Sequence, residues 1–149
     1  MLHYVVGGTV ITLIGSNVVN TLINGTIALV FSSASFLHRG TESNKMINKI
    51  RLQIEEMDIP IKLKLVQKLL DTLPKNDKND ILEDGLVDIM FKIKSLLEWI
   101  TYEIDKHNQK WFASYRSVDL DSKLMELEHL VKILDGRINL MMNSSNMEK

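Results

Sequence analysis

The chain has 149 residues, a length that fits one domain, and no cysteine, which excludes disulfides, thiolate zinc sites and a cysteine nucleophile. Its 18 basic and 19 acidic residues give a net charge of −1, whereas a nucleic-acid-binding protein normally carries a basic face. We therefore expect no nucleic-acid partner. The charge is unevenly distributed, because every Asp, Glu, Lys and Arg lies at Arg39 or beyond, and this divides the chain into two unlike parts.

The first part, residues 1–39, predicts a membrane anchor. Residues 2–37 carry no charged side chain, and this run exceeds the roughly 20 apolar residues that a helix needs to cross a bilayer. Arg39 and Lys45 follow the run closely, so the positive-inside rule places the C-terminal part on the cytosolic side or its topological equivalent. The expected localisation is a membrane, with a single pass through the lipid bilayer.

Small and polar side chains recur along one side of this run. At about 100° per residue they share one face of a helix, and such a stripe lets helices approach closely and hydrogen-bond to each other. The stripe consists of Ser16, Asn17, Asn20, Thr21, Asn24 and Ala28. It predicts self-association or docking against a protein partner. The lining of a water-filled pore is the alternative.

Residues 2–37 are compatible with three structures. A continuous helix, which we prefer, would be about 54 Å long and would project beyond the bilayer. A break near Asn24 and Gly25 would make a re-entrant hairpin instead. The Val, Ile and Thr residues of the segment 5–19 also favour β structure, which would require burial in an assembly because an isolated strand cannot satisfy its backbone in lipid. Each structure needs lipid or an equally dry protein surround.

The second part, residues 40–149, predicts a helical bundle. Apolar side chains recur every three or four residues in four segments, as expected when each helix buries one face. The predicted helices span about 43–58, 60–73, 79–112 and 118–142. Short connections favour antiparallel neighbours. The expected fold is therefore all-α, with an N-terminal membrane-embedded helix followed by a three- to four-helix antiparallel bundle. An intermolecular coiled coil of the two longest segments is the alternative.

The sequence offers no defensible catalytic or metal site. Glu126 and His129 have the Glu-x-x-His spacing of di-iron bundles, but a second such motif is absent and the apolar stripe of their helix turns both toward solvent. No glycine-rich phosphate loop follows a predicted strand, and no nucleophile can be paired with a base. We expect no cofactor, no metal, no small-molecule substrate and no enzymatic activity.

An aromatic group lies at the end of the third helix of the bundle. Trp111, Phe112 and Tyr115 are flanked by Lys110 and Arg116, and aromatic side chains with basic neighbours occur at protein interfaces and at membrane surfaces. The group predicts a partner or membrane surface.

Taken together, these features predict a non-enzymatic, membrane-anchored structural or adaptor protein that helps to assemble or tether a larger complex. A minor structural component of a membrane-containing virion fits this description. The alternative function is that of an oligomeric channel or membrane-permeabilising protein, lined by the polar stripe.

Overall fold

A computed structural model describes residues 2–6, 9–13, 15–39, 45–74, 76–108 and 120–147. In chain order it contains strands β1 (Leu2–Val6) and β2 (Thr9–Leu13), then helices α1 (Gly15–Arg39), α2 (Lys45–Glu56), α3 (Ile59–Thr72), α4 (Asp77–Asn108) and α5 (Asp121–Met147). The expected all-α bundle is thus present over most of the chain.

The N-terminal segment differs from the continuous membrane helix that we expected. Strands β1 and β2 pair antiparallel, from Leu2 opposite Leu13 to Val6 opposite Thr9. Their Val, Ile, Thr and Tyr side chains favour extended backbone. The hairpin removes apolar residues from the helix that follows, and α1 itself is rich in Asn, Ser and Thr. Within the described residues, no helix is both long and apolar enough to cross a bilayer. The predicted membrane-embedded helix is therefore not supported.

Helices α2 to α5 lie where the apolar periodicity predicted helices, with shifted ends. Helix α5 continues to Met147, which is five residues beyond the predicted end at 142. Gly85 lies inside α4 and does not break it. Asp58 separates α2 from α3 with a left-handed backbone, φ 53° and ψ 35°, and Pro60 is the second residue of α3. A proline is tolerated there because the first helical N–H groups have no partner within the helix.

The helices pack as four columns, with α2 and α3 forming one interrupted column. Helix α4 lies between α1 and α5, and the α2–α3 column contacts the same two helices from the other side. Lys123, near the start of α5, lies over the ring of Trp99 in the later part of α4. Arg137, later in α5, donates to the carbonyl of Gly85 in the early part of α4, so α4 and α5 run antiparallel. Lys49 of α2 pairs with Asp121 at the start of α5, and Lys62 of α3 pairs with Asp135 further along α5. The α2–α3 column therefore runs parallel to α5.

One hydrophobic core joins all five helices. Helix α4 supplies the largest share and packs against both α1 and α5. Fully burying one isoleucine, leucine or methionine side chain stabilises a fold by about 1.5–3 kcal/mol. The largest fully buried side chains are Ile23, Ile59, Leu63, Leu86, Ile89, Met90, Ile93, Leu97, Ile100, Ile104 and Leu127. Because Ile23 is among them, α1 shares its core with the helices that follow.

A candidate protein-interaction surface on helix α1

The inner side of α1 is apolar and determines which side of the helix faces outward. Val19, Ile23 and Val30 are buried, and their spacings of four and seven residues place them on one face of a helix. Thr26 lies among them at 0% exposure, and its hydroxyl donates to the Leu22 carbonyl at 2.7 Å. This hydrogen bond satisfies the Thr26 hydroxyl, and among the described residues of α1 the inner side belongs to the bundle core.

The outer side of α1 is uncharged. We call it the α1 face and define it by its exposed residues, which are Thr21, Asn24, Ala28, Phe31 and Ser32. Phe31 is 62% exposed. Solvent-facing helix surfaces normally carry charged side chains, as α3 does at Lys64 and Lys68. Interface cores, in contrast, are depleted of charge and enriched in aromatic residues. The α1 face has the composition of an interface.

An apolar groove lies beside the α1 face, between α1 and α4. This α1–α4 groove has a volume of about 380 Å³ and is lined by Val18, Thr21, Leu22, Phe91 and Lys94. The Lys94 ammonium donates to the carboxylate of Glu98, one turn further along α4. Small-molecule sites combine apolar walls with several convergent polar groups. This groove has mainly apolar walls, and therefore suits an apolar side chain of a partner protein.

Polar contacts border the α1 face on both sides. Toward α3, the Gln67 side-chain amide donates to Asn20 Oδ1 at 2.9 Å. Toward α4, Lys94 and Glu98 form an ion pair. An uncharged centre with a polar border is the usual organisation of a protein–protein interface.

The predicted stripe lies on α1, and its described residues are on or near the outer side of a helix whose inner side packs in the protein core. Thr21, Asn24 and Ala28 are exposed, and Asn20 is half-buried against α3. Ser16 and Asn17 lie in the first turn of α1, and their side chains are outside the described part of the structure. The role of the stripe in association stays a prediction. The second predicted surface, Trp111, Phe112 and Tyr115, falls wholly outside the described residues.

Sequence reasoning missed the contribution of Phe91 to this surface. Val87 and Phe91 are one helical turn apart on α4, offset from the main apolar stripe of that helix. Val87 is fully buried and Phe91 packs against the core. An apolar pair at this spacing widens the stripe and indicates a second helix neighbour, which is α1.

The exposed aromatic residues near the end of α4 serve contacts within the bundle. The Lys123 ammonium lies 5.7 Å from the centre of the Trp99 ring, and the Lys106 ammonium lies 5.6 Å from the Tyr102 ring. Both ammonium groups also pair with carboxylates, those of Glu126 and Glu103 respectively. The carboxylates balance the charge of both lysines, so this surface attracts an anionic partner less strongly than two unpaired lysines would.

The pKa values of two carboxyl groups outside the α1 face are shifted by their surroundings. Burial raises the pKa of Asp84, and the nearby charges of Glu83 and Asp80 raise it further. A hydrogen bond from Lys132 and its positive charge lower the pKa of Glu128. In the ranges that the structure describes, no three His, Cys, Asp or Glu side chains are grouped to hold a metal ion.

A second cleft, of about 340 Å³, lies between the α2–α3 column and α5. Lys62 and Asp135 form an ion pair at 2.8 Å on its wall, and Lys132 pairs with Glu128 at the same distance. These charges already satisfy one another. The α1 face with its groove is therefore the stronger candidate surface.

Comparisons of the chain with models of protein families, with curated proteins and with solved structures give no match.

Proposed function

We propose that this protein is a non-enzymatic structural or adaptor module, which attaches to another protein through the α1 face and the α1–α4 groove. One observation carries the proposal: the outer side of α1 is uncharged, exposes Phe31, and borders an apolar groove. The proposal retains the assembly role that the sequence predicts and assigns that role to a surface of the folded bundle.

The energetic argument rests on the cost of removing water from the surface. A charged side chain buried without a partner costs far more than an uncharged one, and α1 has no charged residue between Gly15 and His38. Fully burying a phenylalanine contributes about 1.5–3 kcal/mol relative to exposure. The α1 face therefore offers favourable burial at Phe31 and a low desolvation cost around it.

Attachment to a lipid bilayer, with the bundle on the cytosolic side, stays a separate prediction. The channel alternative would require the α1 stripe to line water across a bilayer. We pursue the adaptor role because the exposed Phe31 and the apolar α1–α4 groove favour contact with another protein.

The test uses a photo-crosslinking amino acid in the full chain, produced in the cells that naturally make it. We expect a crosslinker at Asn24, on the α1 face, to give a discrete protein adduct that Ala28→Arg abolishes. A crosslinker at Asn139 is the matched control, because Asn139 is an exposed asparagine within α5. Identical adducts from both positions, or no adduct at Asn24, would contradict the proposal.

Lipid binding is distinguished by flotation with vesicles of neutral and of anionic phospholipid. A chain that floats with the vesicles and gives no protein adduct at Asn24 would assign the α1 face to a lipid surface and refute the adaptor role. A chain that gives the adduct and stays with the protein fraction supports the adaptor role.

A further inference from the structure

We infer that α2 is a strap, which opens away from the bundle as one unit about the link at Asp58 while the other helices stay folded. The inference goes beyond the proposed function, because it concerns a different helix from the α1 face. Elements that open locally are those held by few buried apolar contacts and few buried hydrogen bonds, and elements that move in regulation belong to this class. Three features weaken the attachment of α2, and a fourth lets it move without α3.

The first feature is a pair of buried polar atoms. Arg51 Nε and Gln53 Oε1 are buried and have no hydrogen-bond partner among the residues that the structure describes. The Arg51 guanidinium does donate to Glu55 at 3.3 Å, but through Nη1 and within the same helix. A polar atom that loses water without gaining a partner disfavours the closed position of the helix that carries it. Opening α2 returns both atoms to water.

The second feature is the weak ion pair between α2 and α5. Lys49 and Asp121 are 4.0 Å apart, and their side chains are 63% and 73% exposed, so solvent screens their attraction. Helix α3, in the same column, has closer contacts on both sides. Lys62 pairs with Asp135 of α5 at 2.8 Å, and a side-chain hydrogen bond of 2.9 Å joins α3 to α1. The closer contacts therefore hold α3 in place and leave α2 less firmly attached.

The third feature is the cleft of about 340 Å³ between the α2–α3 column and α5. Gln53 and Met57 line this cleft, together with Leu124 and Met125 of α5. Close-packed interiors leave few voids larger than a water molecule, so α2 and α5 meet along this edge with a gap in their packing. Opening α2 widens the cleft and uncovers Leu124, which is 2% exposed when α2 is closed.

The link at Asp58 lets α2 move without α3. The left-handed backbone of Asp58 separates the two helices. Pro60 has no N–H group, so the helical hydrogen bond that would run from residue 60 back to α2 cannot form. Ile59, the first residue of α3, is 0% exposed and therefore fixed in the core. Rotation at the link thus moves α2 against an anchored α3.

The first experiment measures amide hydrogen exchange of the full chain, residue by residue, by nuclear magnetic resonance under native conditions. Ile50 and Ile54 are buried, as are Leu63 and Val66, so burial alone gives similar protection in α2 and α3. We expect uniform protection factors over residues 49–56 that are about tenfold or more below those of residues 63–70. Equal protection in the two helices overturns the strap. Protection that declines steadily toward Lys45 also overturns it, because that gradient indicates fraying from one end.

The second experiment makes one substitution at two glutamines. Gln53→Met removes the buried amide oxygen that has no partner, and it should raise protection in α2 roughly fivefold while protection in α3 stays unchanged. Gln67→Met is the matched control, because that amide is hydrogen-bonded to Asn20, and it should raise protection in neither helix. Circular dichroism confirms that both variants are folded. No rise with Gln53→Met, or an equal rise in all helices, overturns the inference.

Limited digestion with trypsin gives a readout that needs no variant. Lys49 and Lys64 are both exposed, the first in α2 and the second in α3. Cleavage within a helix requires that helix to open, so the native chain should be cut after Lys49 about tenfold or more faster than after Lys64. Equal rates, or faster cleavage after Lys64, overturn the strap. None of these readouts depends on the crosslinker at Asn24, so the strap and the adaptor role can fail separately.

Discussion

Replacing Ile23 by alanine tests whether α1 belongs to the folded core of the protein. The Ile23 side chain is 0% exposed and is part of the cluster that joins all the helices. Alanine removes three carbon atoms, which at roughly 0.8 kcal/mol per buried carbon loses about 2.4 kcal/mol of transfer free energy. The cavity that remains adds to this loss. We expect the free energy of unfolding to fall by about 3–4 kcal/mol.

The assay is urea unfolding at 25 °C, followed by far-ultraviolet circular dichroism and by tryptophan fluorescence. The midpoint should fall while the slope m stays unchanged, which identifies a change of stability. In thermal unfolding, about 3 kcal/mol corresponds to a fall in Tm of roughly 6–12 °C for a chain of this length. Asn24→Ala is the control, because it changes the adjacent, exposed residue and should alter stability by less than about 0.5 kcal/mol.

The reasoning fails if Ile23→Ala and Asn24→Ala have equally small effects. That result would show that α1 contributes nothing to the stability of the bundle, as expected for a helix anchored elsewhere. A loss of several kcal/mol for Ile23→Ala alone supports α1 as a full member of the core.

Three further predictions concern contacts outside the centre of the core. In a double-mutant cycle of Asn20→Ala and Gln67→Ala, followed by urea unfolding, we expect a coupling free energy of about 0.5–1 kcal/mol from the 2.9 Å hydrogen bond; additive effects would contradict that bond. Gly136→Ala should raise the free energy of unfolding by about 0.5–1 kcal/mol, because the added methyl group meets open space in mid-helix; a lower Tm would show an unexpected clash. Asp84→Asn should stabilise the protein at pH 7 by a few tenths of a kcal/mol, since the folded state raises the pKa of this carboxyl above its ordinary value of 3.8 and thus disfavours its charge. The native chain regains this stability as the pH falls through the raised pKa toward 3.8, so the advantage of asparagine should vanish near pH 3 and a constant advantage would contradict the assignment.

The apolar periodicity predicted the helices well where each one carries a single clear stripe. Leu120, Leu124, Leu127 and Val131 recur at helical spacing, and all four are buried in α5 or just before it. The end of α5 was predicted less well. Asn143 and Ser144 have low helix propensity, yet the helix continues past them to Met147, with Met141 and Ser144 buried on its inner side.

The surroundings of α1 could not be predicted from its composition. A run without charges is suited both to lipid and to a protein core, because each excludes water from the apolar side chains. The choice depends on residues far away in the chain, such as Phe91 of α4, which lies beside Val18 and Leu22 of α1. Sequence periodicity indicates that α4 has a buried side, but it does not indicate which helix covers that side. The predicted stripe and the α1 face share Thr21, Asn24 and Ala28, and the role of these residues in association stays a prediction.

The left-handed backbone at Asp58 changes the direction in which α2 and α3 present their buried side chains. The buried residues Ile54 and Ile59 are five positions apart, so in an uninterrupted helix they would differ by roughly 140° in direction. The link at Asp58 absorbs this difference and brings both side chains to the same side. It behaves as one inserted residue, and deleting it would restore a spacing of four. Only Pro60, which lacks an N–H group, would then keep the two helical segments from merging into a single straight rod.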